Sequence, residues 1–423
     1  MNTMCTRKGN RMSQPPNADV LVIGGGAAGL MCAGTAAARG KKVLLLERMP
    51  QPGRKLLITG KGRCNLTNNC EFDTFIASVN RGGRFLYSAW NAFSARDTMA
   101  FFEQLGVPLK TERGNRVFPV SDRSADIVDA LVGYARKGGV AIVRERAVKL
   151  LVENNRAAGV LCESGKEYRA SSVVIATGGK SYPLTGSTGD GYQLAAQAGH
   201  TVIPPQPSLV PVEVEESWPR EAMGLSLKNV TLTLTKAGSS KVLFEELGEM
   251  LFTHFGVSGP LVLSASAHMD NHPGTYALHI DLKPALSHQK LDQRILRDFS
   301  ESINRDFSNA LSGLLTKKLI GPVVALSGIP PQTKVHQITR EQRENLVNLL
   351  KNLCLHVKGL RPIEEAVVTR GGVELKQVNP STMESKLLPG LYFAGEVLDL
   401  DAYTGGFNLQ IAFSTGYLAG QKV

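Results

Sequence analysis

The sequence predicts an α/β fold, and three segments of the chain carry that prediction. Residues 19–47 contain a short apolar run, a glycine-rich turn, an alanine-rich stretch and a second apolar run that ends in an acid. Residues 173–179 and 390–396 each contain a further apolar run that leads into glycine. Runs of this length are typical of buried strands, whereas the alanine-rich stretch favours a helix. The segment 19–47 therefore reads as a β-α-β unit.

The glycine-rich turn of this unit has the spacing of a dinucleotide site. Gly24 permits a tight turn, Gly26 leaves room for a pyrophosphate beside the backbone, and Gly29 lets the helix lie close to the strand. The free N–H groups at the start of the helix, around Ala27 and Ala28, suit a phosphate because they carry a partial positive charge. The alternative is a glycine-rich turn in another kind of α/β fold.

Glu47 ends the second apolar run, close to the offset of about 20 residues expected for an acid that binds a ribose. Its carboxylate would accept hydrogen bonds from ribose hydroxyls and would repel a 2′-phosphate. The site therefore favours FAD or NAD over NADP.

A loop rich in glycine, proline and basic residues follows at 50–68. It leaves the second strand near the edge where the ligand would lie, so its cations are placed beside phosphate and its backbone amides beside a ring system. The alternative is a solvated basic loop. The candidate cofactor-binding residues here are Arg54, Lys55, Gly60, Gly62, Arg63, Cys64 and Asn65, together with Arg48 before the loop.

The end of the chain returns to cofactor chemistry. Glu396 follows a strand and Gly395, and its carboxylate is placed to bind the hydroxyls of a ribityl chain. Gly405 and Gly406 begin an apolar helix whose N-terminus would stabilise negative charge on a reduced flavin. A nicotinamide dinucleotide has no ribityl chain, so this half-site favours FAD as the tightly held cofactor. Further candidates for contact with the cofactor are Phe407, Asn408, Thr177, Gly178, Gly179 and Val148.

The composition is that of a globular protein of two or three domains. The chain has 423 residues, of which 43% are hydrophobic and 20% are charged. It lacks an apolar run of about 18 residues, so we expect no membrane span. Its six scattered cysteines predict neither a disulfide framework nor a metal site and fit the cytoplasm. The net charge of +11 leaves open either a nucleic-acid partner or a basic enzyme surface.

Changes in composition divide the chain. Residues 1–18 are polar and basic without an apolar signal-peptide core, so we expect a flexible arm. A proline-rich stretch at 204–207 marks a domain boundary. After it, alternating segments such as 230–234 are typical of half-buried strands, and residues 286–355 have a helical pattern.

Three longer motifs point to a family. Residues 62–65 read Gly-Arg-Cys-Asn, residues 253–260 read Thr-His-Phe-Gly-Val-Ser-Gly-Pro, and residues 395–408 join Gly-Glu to Gly-Gly-Phe-Asn. From Asp19 onward the chain resembles the BaiN/RdsA family of bacterial NAD(P)/FAD-dependent oxidoreductases. The resemblance implies a Rossmann-like FAD-binding domain of the glutathione-reductase type, an inserted β-barrel domain and a helical domain nested within that barrel.

Together with the breaks in composition, the resemblance divides the chain into three domains. We expect the FAD-binding domain at 19–203 and 371–423, the barrel at 204–285 and 356–370, and the helical insert at 286–355.

The resemblance also implies a reaction. Members of the family are linked to the reduction of carbon–carbon double bonds, in steroid-like acids or in a uridine of ribosomal RNA. We therefore expect FAD, reduced by NAD(P)H, to pass a hydride from N5 to an electron-poor double bond. The substrate would be a uridine, which becomes dihydrouridine, or a small molecule such as an enone.

Cys64 and His254 are the sequence candidates for the acid that protonates the neighbouring carbon. Arg63 lies beside Cys64, and nearby cations would lower the pKa of the thiol. The alternatives are a thiol that packs near the flavin and a histidine that bonds to the backbone.

Two other classes of function stay open at this stage. Cys64 and Cys70 would allow dithiol chemistry, although the asparagine-rich segment between them suggests a turn rather than the helix of a disulfide reductase. The second alternative is a protein that binds RNA or senses redox state and that holds FAD without catalysing a reaction. An aromatic content of 6% offers little sign of an RNA-binding platform.

Overall fold

The computed structural model describes residues 18–239, 241–270, 272 and 274–423. Apart from Ala18, which begins the first strand, the arm predicted at 1–18 lies outside the described residues. The strands are β1 (Ala18–Ile23), β2 (Val43–Glu47), β3 (Thr67–Asn68), β4 (Val79–Arg81), β5 (Leu109–Glu112), β6 (Arg116–Pro119), β7 (Ala141–Arg144), β8 (Ala147–Glu153), β9 (Arg156–Cys162), β10 (Glu167–Ile175), β11 (Val202–Ser208), β12 (Val212–Val214), β13 (Ser226–Lys236), β14 (Val242–Phe252), β15 (Gly256–Ser258), β16 (Tyr276–Asp281), β17 (Leu353–Leu360), β18 (Val368–Val373), β19 (Leu391–Phe393) and β20 (Asp401–Ala402). The helices are α1 (Ala27–Ala38), α2 (Arg54–Ile58), α3 (Phe72–Ala77), α4 (Tyr87–Ala92), α5 (Ala95–Gln104), α6 (Ser124–Lys137), α7 (Asp190–Gln197), α8 (Pro260–Ser266), α9 (His288–Ser300), α10 (Phe307–Ala310), α11 (Lys317–Ser327), α12 (Arg340–Lys351) and α13 (Phe407–Lys422).

A seven-stranded sheet forms the centre of the dinucleotide-binding part of the chain. Strands β7, β2, β1, β10 and β19 run parallel, and β9 and β8 extend the sheet by antiparallel pairing. Val20, Leu21 and Val22 of β1 are all fully buried. Successive residues of a strand point to opposite faces, so both faces of this sheet are covered, as its continuous apolar strands predict. The Rossmann-type α/β fold is confirmed.

The C-terminal helix α13 packs against α1, so the two ends of the described chain meet. Gly416 permits this approach, because a Cβ atom there would overlap the carbonyl oxygen of Ala28. A buried amide also fixes α13 in place. The Gln410 side-chain oxygen accepts hydrogen bonds from the hydroxyls of Thr67 (2.5 Å) and Thr98 (2.9 Å).

Six strands close into a barrel in the order β12-β15-β14-β13-β16-β17, and the barrel that the resemblance implied is therefore confirmed. Helices α9 to α12 lie between β16 and β17 in the chain. They do not form a separate core, because Leu346 and Leu350 of α12 belong to the same buried cluster as Ile280 and Leu353 of the barrel.

Strands β11 and β18 pair antiparallel where the chain leaves and re-enters the first sheet region. Strand β11 spans the predicted boundary at 204. The division of the chain at 204, 286, 356 and 371 stays our proposal. Across the described residues, we find no helix with both the length and the apolar character to cross a membrane.

Candidate active site

A cavity of about 530 Å³ lies at the carboxyl ends of β1, β2 and β10, within the range of roughly 300–1,000 Å³ that is typical of ligand sites. The starts of α1 and α13 and the loop after β2 complete its wall. Of the predicted cofactor-binding residues, the wall contains Gly24, Gly26, Ala27, Ala28, Glu47, Arg48, Arg54, Lys55, Gly60, Asn65, Thr177, Gly178, Glu396, Gly405, Gly406 and Asn408.

Three glycines shape the turn between β1 and α1. Gly24 has a φ of 101°, and a Cβ there would lie 2.6 Å from the carbonyl oxygen of Ala176. A Cβ at Gly29 would overlap the carbonyl oxygen of Gly24, so Gly29 sets how closely helix and strand pack. Gly26 differs, because a Cβ there would meet nothing within 4 Å. The space beside Gly26 is therefore open for a ligand group at the N-terminus of α1.

Glu47 fixes this turn and faces the cavity. One carboxylate oxygen accepts a hydrogen bond of 2.7 Å from the backbone N–H of Gly25, and the other accepts one of 2.7 Å from Met49. Burial raises the pKa of Glu47, and the bonds from Met49 and Gly25 oppose that shift. Each carboxylate oxygen keeps a free lone pair, so the side chain can still accept a hydrogen bond from a ribose hydroxyl.

Lys55 and Glu396 meet across the cavity. The ammonium of Lys55 lies 2.6 Å from Glu396 Oε2 and donates to the hydroxyl of Ser181 at 2.7 Å. Glu396 Oε1 accepts from the backbone N–H of Thr369 at 2.8 Å. The pair therefore joins the loop after β2 to the strand region near the C-terminus.

Two buried polar atoms in the cavity wall lack a partner among the described residues: Asn65 Oδ1 and Thr177 Oγ1. Buried polar groups are seldom left unpaired, so a ligand with a polar group beside Asn65 would satisfy its oxygen, whereas Thr177 Oγ1 faces Gly191 of α7. At the other end, Gly405 and Gly406 have φ values of 121° and 101° and lead into the 16-residue helix α13. The N-terminus of that helix borders the cavity and favours negative charge there.

Asp190 belongs to the site, although the sequence did not single it out. Its two oxygens accept bonds of 2.9 and 3.0 Å from Arg146, and Arg48 lies 3.2 Å away. Burial favours a higher pKa, but the bonds from Arg146 and Thr188 outweigh it and lower the pKa of Asp190. Asp190, Arg146 and Arg48 line the cavity, whereas Thr188 does not. Asp190 begins α7 inside the glycine-rich segment 186–191. That segment was the sequence feature that could have pointed to Asp190 as a site residue.

An apolar wall closes the cavity on the barrel side. It is formed by Leu209, Leu263, Val367, Val368 and Leu400. These residues come from four distant segments, so a sequence pattern gave no indication of them.

The remaining predicted cofactor residues do not line the cavity. Arg63 forms ion pairs with Glu112 (2.5 Å) and Asp122 (2.6 Å), and its guanidinium stacks 4.2 Å from the ring centre of Phe118. Val148 is exposed, and it is the preceding Ala147 that lines the cavity. The predicted residues that are absent from the wall are Gly29, Gly62, Arg63, Cys64, Val148, Gly179, Gly395 and Phe407.

Neither sequence candidate for the acid lines the cavity. Cys64 is completely buried, and burial raises its pKa to about 12. The expectation of a lowered pKa was therefore wrong, since Arg63 is held by Glu112 and Asp122. His254 is exposed on the barrel beside Phe255.

The groups around the cavity fit FAD. They include open space at the start of α1 that would take a phosphate, a carboxylate that would accept from ribose, unpaired polar atoms, and a second helix start that would favour negative charge on a flavin. The fold and the site define an FAD-dependent oxidoreductase. The chain belongs to the family described as HI0933-like protein Rossmann domain, which matches residues 18–422.

Two relatives are similar over almost the whole chain. The first is a 3-dehydro-bile acid delta(4,6)-reductase from Clostridium scindens, which is 33% identical over 95% of this chain and 97% of its own length. The second is a ribosomal RNA dihydrouridine synthase from Escherichia coli, which is 32% identical over 96% of this chain and 98% of its own length.

Among solved structures, the chain is similar to a 3-ketosteroid-delta4-(5alpha)-dehydrogenase from Rhodococcus jostii. The TM-score is 0.52 with 16% identity, over 98% of this chain and 97% of that one. At this identity the likeness shows the fold alone.

Proposed function

We propose that this protein reduces a carbon–carbon double bond conjugated to a carbonyl group, with FAD as cofactor and NAD(P)H as reductant. The observation that carries the proposal is that one cavity combines groups suited to FAD with the apolar wall formed by Leu209, Leu263, Val367, Val368 and Leu400. Reduced FAD, when bound, supplies a hydride.

The residues of the chain would bind the cofactor and orient the substrate. The start of α1 would hold the pyrophosphate, and Glu47 would accept the ribose hydroxyls. The start of α13 would stabilise negative charge at one end of the flavin ring. The apolar wall would hold the reacting part of the substrate and exclude water from it.

The named reactions of both relatives support this reaction class. A 3-dehydro bile acid with delta(4,6) unsaturation has its double bonds conjugated to a ketone. Dihydrouridine differs from uridine by reduction of the ring double bond that is conjugated to a carbonyl. The two substrates therefore share one reacting unit.

Each substrate has one observation in its favour. The apolar wall favours a small, largely apolar enone. The net charge of +11 favours a uridine in RNA.

We place the reaction in the cytoplasm, because the cysteines among the described residues are free thiols.

The test follows the colour of the purified holoprotein. NADH or NADPH, added without oxygen, is expected to bleach the flavin. A 3-oxo-Δ4,6 bile acid, or a large-subunit ribosomal RNA transcript, is then expected to restore the colour, with a saturated ketone or dihydrouridine found by mass spectrometry. Failure of both acceptors would contradict the proposal. Salt-sensitive RNA binding without reoxidation would favour a protein that holds FAD without turnover.

A further inference from the structure

Tyr403 and His268 form a hydrogen-bonded pair at the substrate end of the cavity. His268 Nε2 lies 2.6 Å from the hydroxyl oxygen of Tyr403. Tyr403 lines the cavity together with the apolar wall and precedes Gly405 by two positions. His268 follows helix α8 of the barrel region. The pair therefore joins the two parts of the chain at the point where they enclose the cavity.

The segment that carries His268 is fixed by a buried arginine. Arg370 of β18 is 4% exposed, and one of its guanidinium nitrogens lies 3.3 Å from the carbonyl oxygens of both Ala267 and Met269. These two residues flank His268 in the chain. Arg370 also donates to the side chain of Gln206. The backbone on both sides of His268 is therefore held by a buried side chain.

The segment that carries Tyr403 is fixed in the same way. Asp401 is fully buried, and one of its oxygens accepts hydrogen bonds from Asn80 (2.9 Å) and Ser208 (2.8 Å). The backbone N–H of Tyr403 donates to the carbonyl of Ser78 at 2.9 Å. These bonds hold the backbone that carries Tyr403 in one position.

The surroundings keep both members of the pair neutral. Burial raises the pKa of Tyr403, with Glu246 and Asp401 adding to the shift. Burial lowers the pKa of His268, and Asp401 partly opposes that shift. The phenol therefore holds its proton near neutral pH. The neutral imidazole carries one N–H, and with that proton on Nε2 it donates to the phenol oxygen, so the hydroxyl proton of Tyr403 stays available to a ligand in the cavity.

We propose that Tyr403 is the proton donor of the reaction and that His268 positions it and returns its proton. This inference rests on the proposed function. The β carbon of the conjugated double bond gains a hydride from the reduced flavin, and the π electrons form a new C–H bond at the α carbon with the proton of the Tyr403 hydroxyl. The resulting phenolate regains a proton from solvent through His268. One hydride and one proton thus saturate the double bond.

The test separates the two halves of the reaction in the holoprotein. In Tyr403→Phe, bleaching of the flavin by NAD(P)H is expected to stay at the wild-type rate. Reoxidation by the acceptor that the wild type reduces is expected to slow by about 10²- to 10⁴-fold, the usual contribution of a positioned acid. Tyr192→Phe is the matched control, because Tyr192 is buried but does not line the cavity. It should behave as wild type.

A second readout needs no turnover. A phenolate resembles the enolate that accepts the proton, because in both the negative charge is shared between the oxygen and the carbons in conjugation with it, so 4-nitrophenolate should bind in the cavity of the oxidised holoprotein. Tyr403→Phe should weaken this binding by roughly tenfold or more, because the hydroxyl that donates toward this shared charge is lost. His268→Phe should slow reoxidation, and His268→Gln should restore part of the rate because its amide can still bond to Tyr403.

The outcomes are distinct. A wild-type protein that reduces neither acceptor would overturn the proposed function and this inference with it. A working wild type with Tyr403→Phe unchanged in reoxidation, or unchanged in affinity for 4-nitrophenolate, would overturn the role of Tyr403 alone. Equal slowing of bleaching and reoxidation would also overturn it, because that would indicate a disturbed flavin site.

Discussion

The ammonium nitrogen of Lys55 lies 2.6 Å from a carboxylate oxygen of Glu396, although the two residues come from opposite ends of the chain. Both side chains are about one-fifth exposed and both line the cavity. The pair therefore closes the cavity between the loop after β2 and the region before α13.

Replacement of Lys55 by methionine keeps the length of the side chain but leaves the Glu396 carboxylate without its cation. We expect the free energy of unfolding to fall by about 1–3 kcal/mol, because a largely buried charge loses its partner. We also expect weaker binding of FAD. Urea unfolding and fluorescence titration with FAD measure the two effects.

The double variant Lys55→Met with Glu396→Gln is the control. Removal of the stranded charge should return much of the lost stability, as a coupled pair requires. Independent, additive losses in the two single variants would contradict the coupling.

Gly26 and Gly29 give a sharper test of the FAD site. Gly26→Ala is expected to leave folding intact, since its φ of −81° is ordinary and a Cβ would meet nothing within 4 Å. The methyl group would, however, occupy the space of the pyrophosphate, so the protein should purify without its yellow colour. Circular dichroism and flavin absorbance together check this outcome.

Gly29→Ala should fail differently. A Cβ at Gly29 would overlap the carbonyl oxygen of Gly24, so the loss should appear in the folding itself as low soluble yield or a lower melting temperature. A Gly26→Ala protein that retains full FAD affinity would show that the cofactor does not approach this turn.

The sequence predicted the first sheet and the dinucleotide turn because their determinants are local. The glycines at 24, 26 and 29 act through their own backbone and close neighbours, so the spacing alone carries the information. Tyr403 and His268 are the opposite case. They are far apart in the chain, and neither has a local pattern. Their 2.6 Å contact depends on how the barrel docks against the sheet, which single-sequence reasoning does not supply.

Cys64 and Arg63 show a second limit. Their adjacency in sequence suggested an activated thiol, but adjacent side chains along a chain need not face each other. Arg63 turns to Glu112 and Asp122, and Cys64 turns into the core. The sequence correctly predicted a basic loop around Cys64, but it did not predict the directions in which the side chains of Arg63 and Cys64 point.

Asp190 is expected to contribute to stability only above acidic pH. Arg146 and Thr188 lower its pKa in the folded protein despite burial. Its contribution is therefore fully present above the unfolded pKa of about 3.9 and is lost as the pH falls through the folded value. At pH 7 we expect Asp190→Asn to reduce the free energy of unfolding by about 1–3 kcal/mol.

This deficit should shrink when melting is compared at pH 7 and below about pH 4, because the wild-type carboxyl is then increasingly protonated. Asp129→Asn is the control, since Asp129 is exposed on α6. A deficit that grows with acidity would contradict the assignment of the low pKa to the carboxylate of Asp190.

The thiol of Cys64 is expected to be inert in the folded protein. Burial raises its pKa to about 12, and that of the half-buried Cys70 to about 11, so neither is a thiolate at pH 8. Iodoacetamide at pH 8 should therefore leave Cys64 unmodified until the protein is unfolded, as peptide mass spectrometry will show.

Cys64→Ala should lower the free energy of unfolding by about 1–2 kcal/mol through lost packing. Reoxidation of the flavin by the acceptor should nevertheless stay within about threefold of wild type, far from the 10²- to 10⁴-fold loss of a missing acid. The Cys70→Ser variant should likewise reoxidise its flavin at a rate close to that of the wild type. A large loss in Cys64→Ala with unchanged flavin binding would instead place the proton donor at Cys64, and a loss shared by both variants would point to dithiol chemistry.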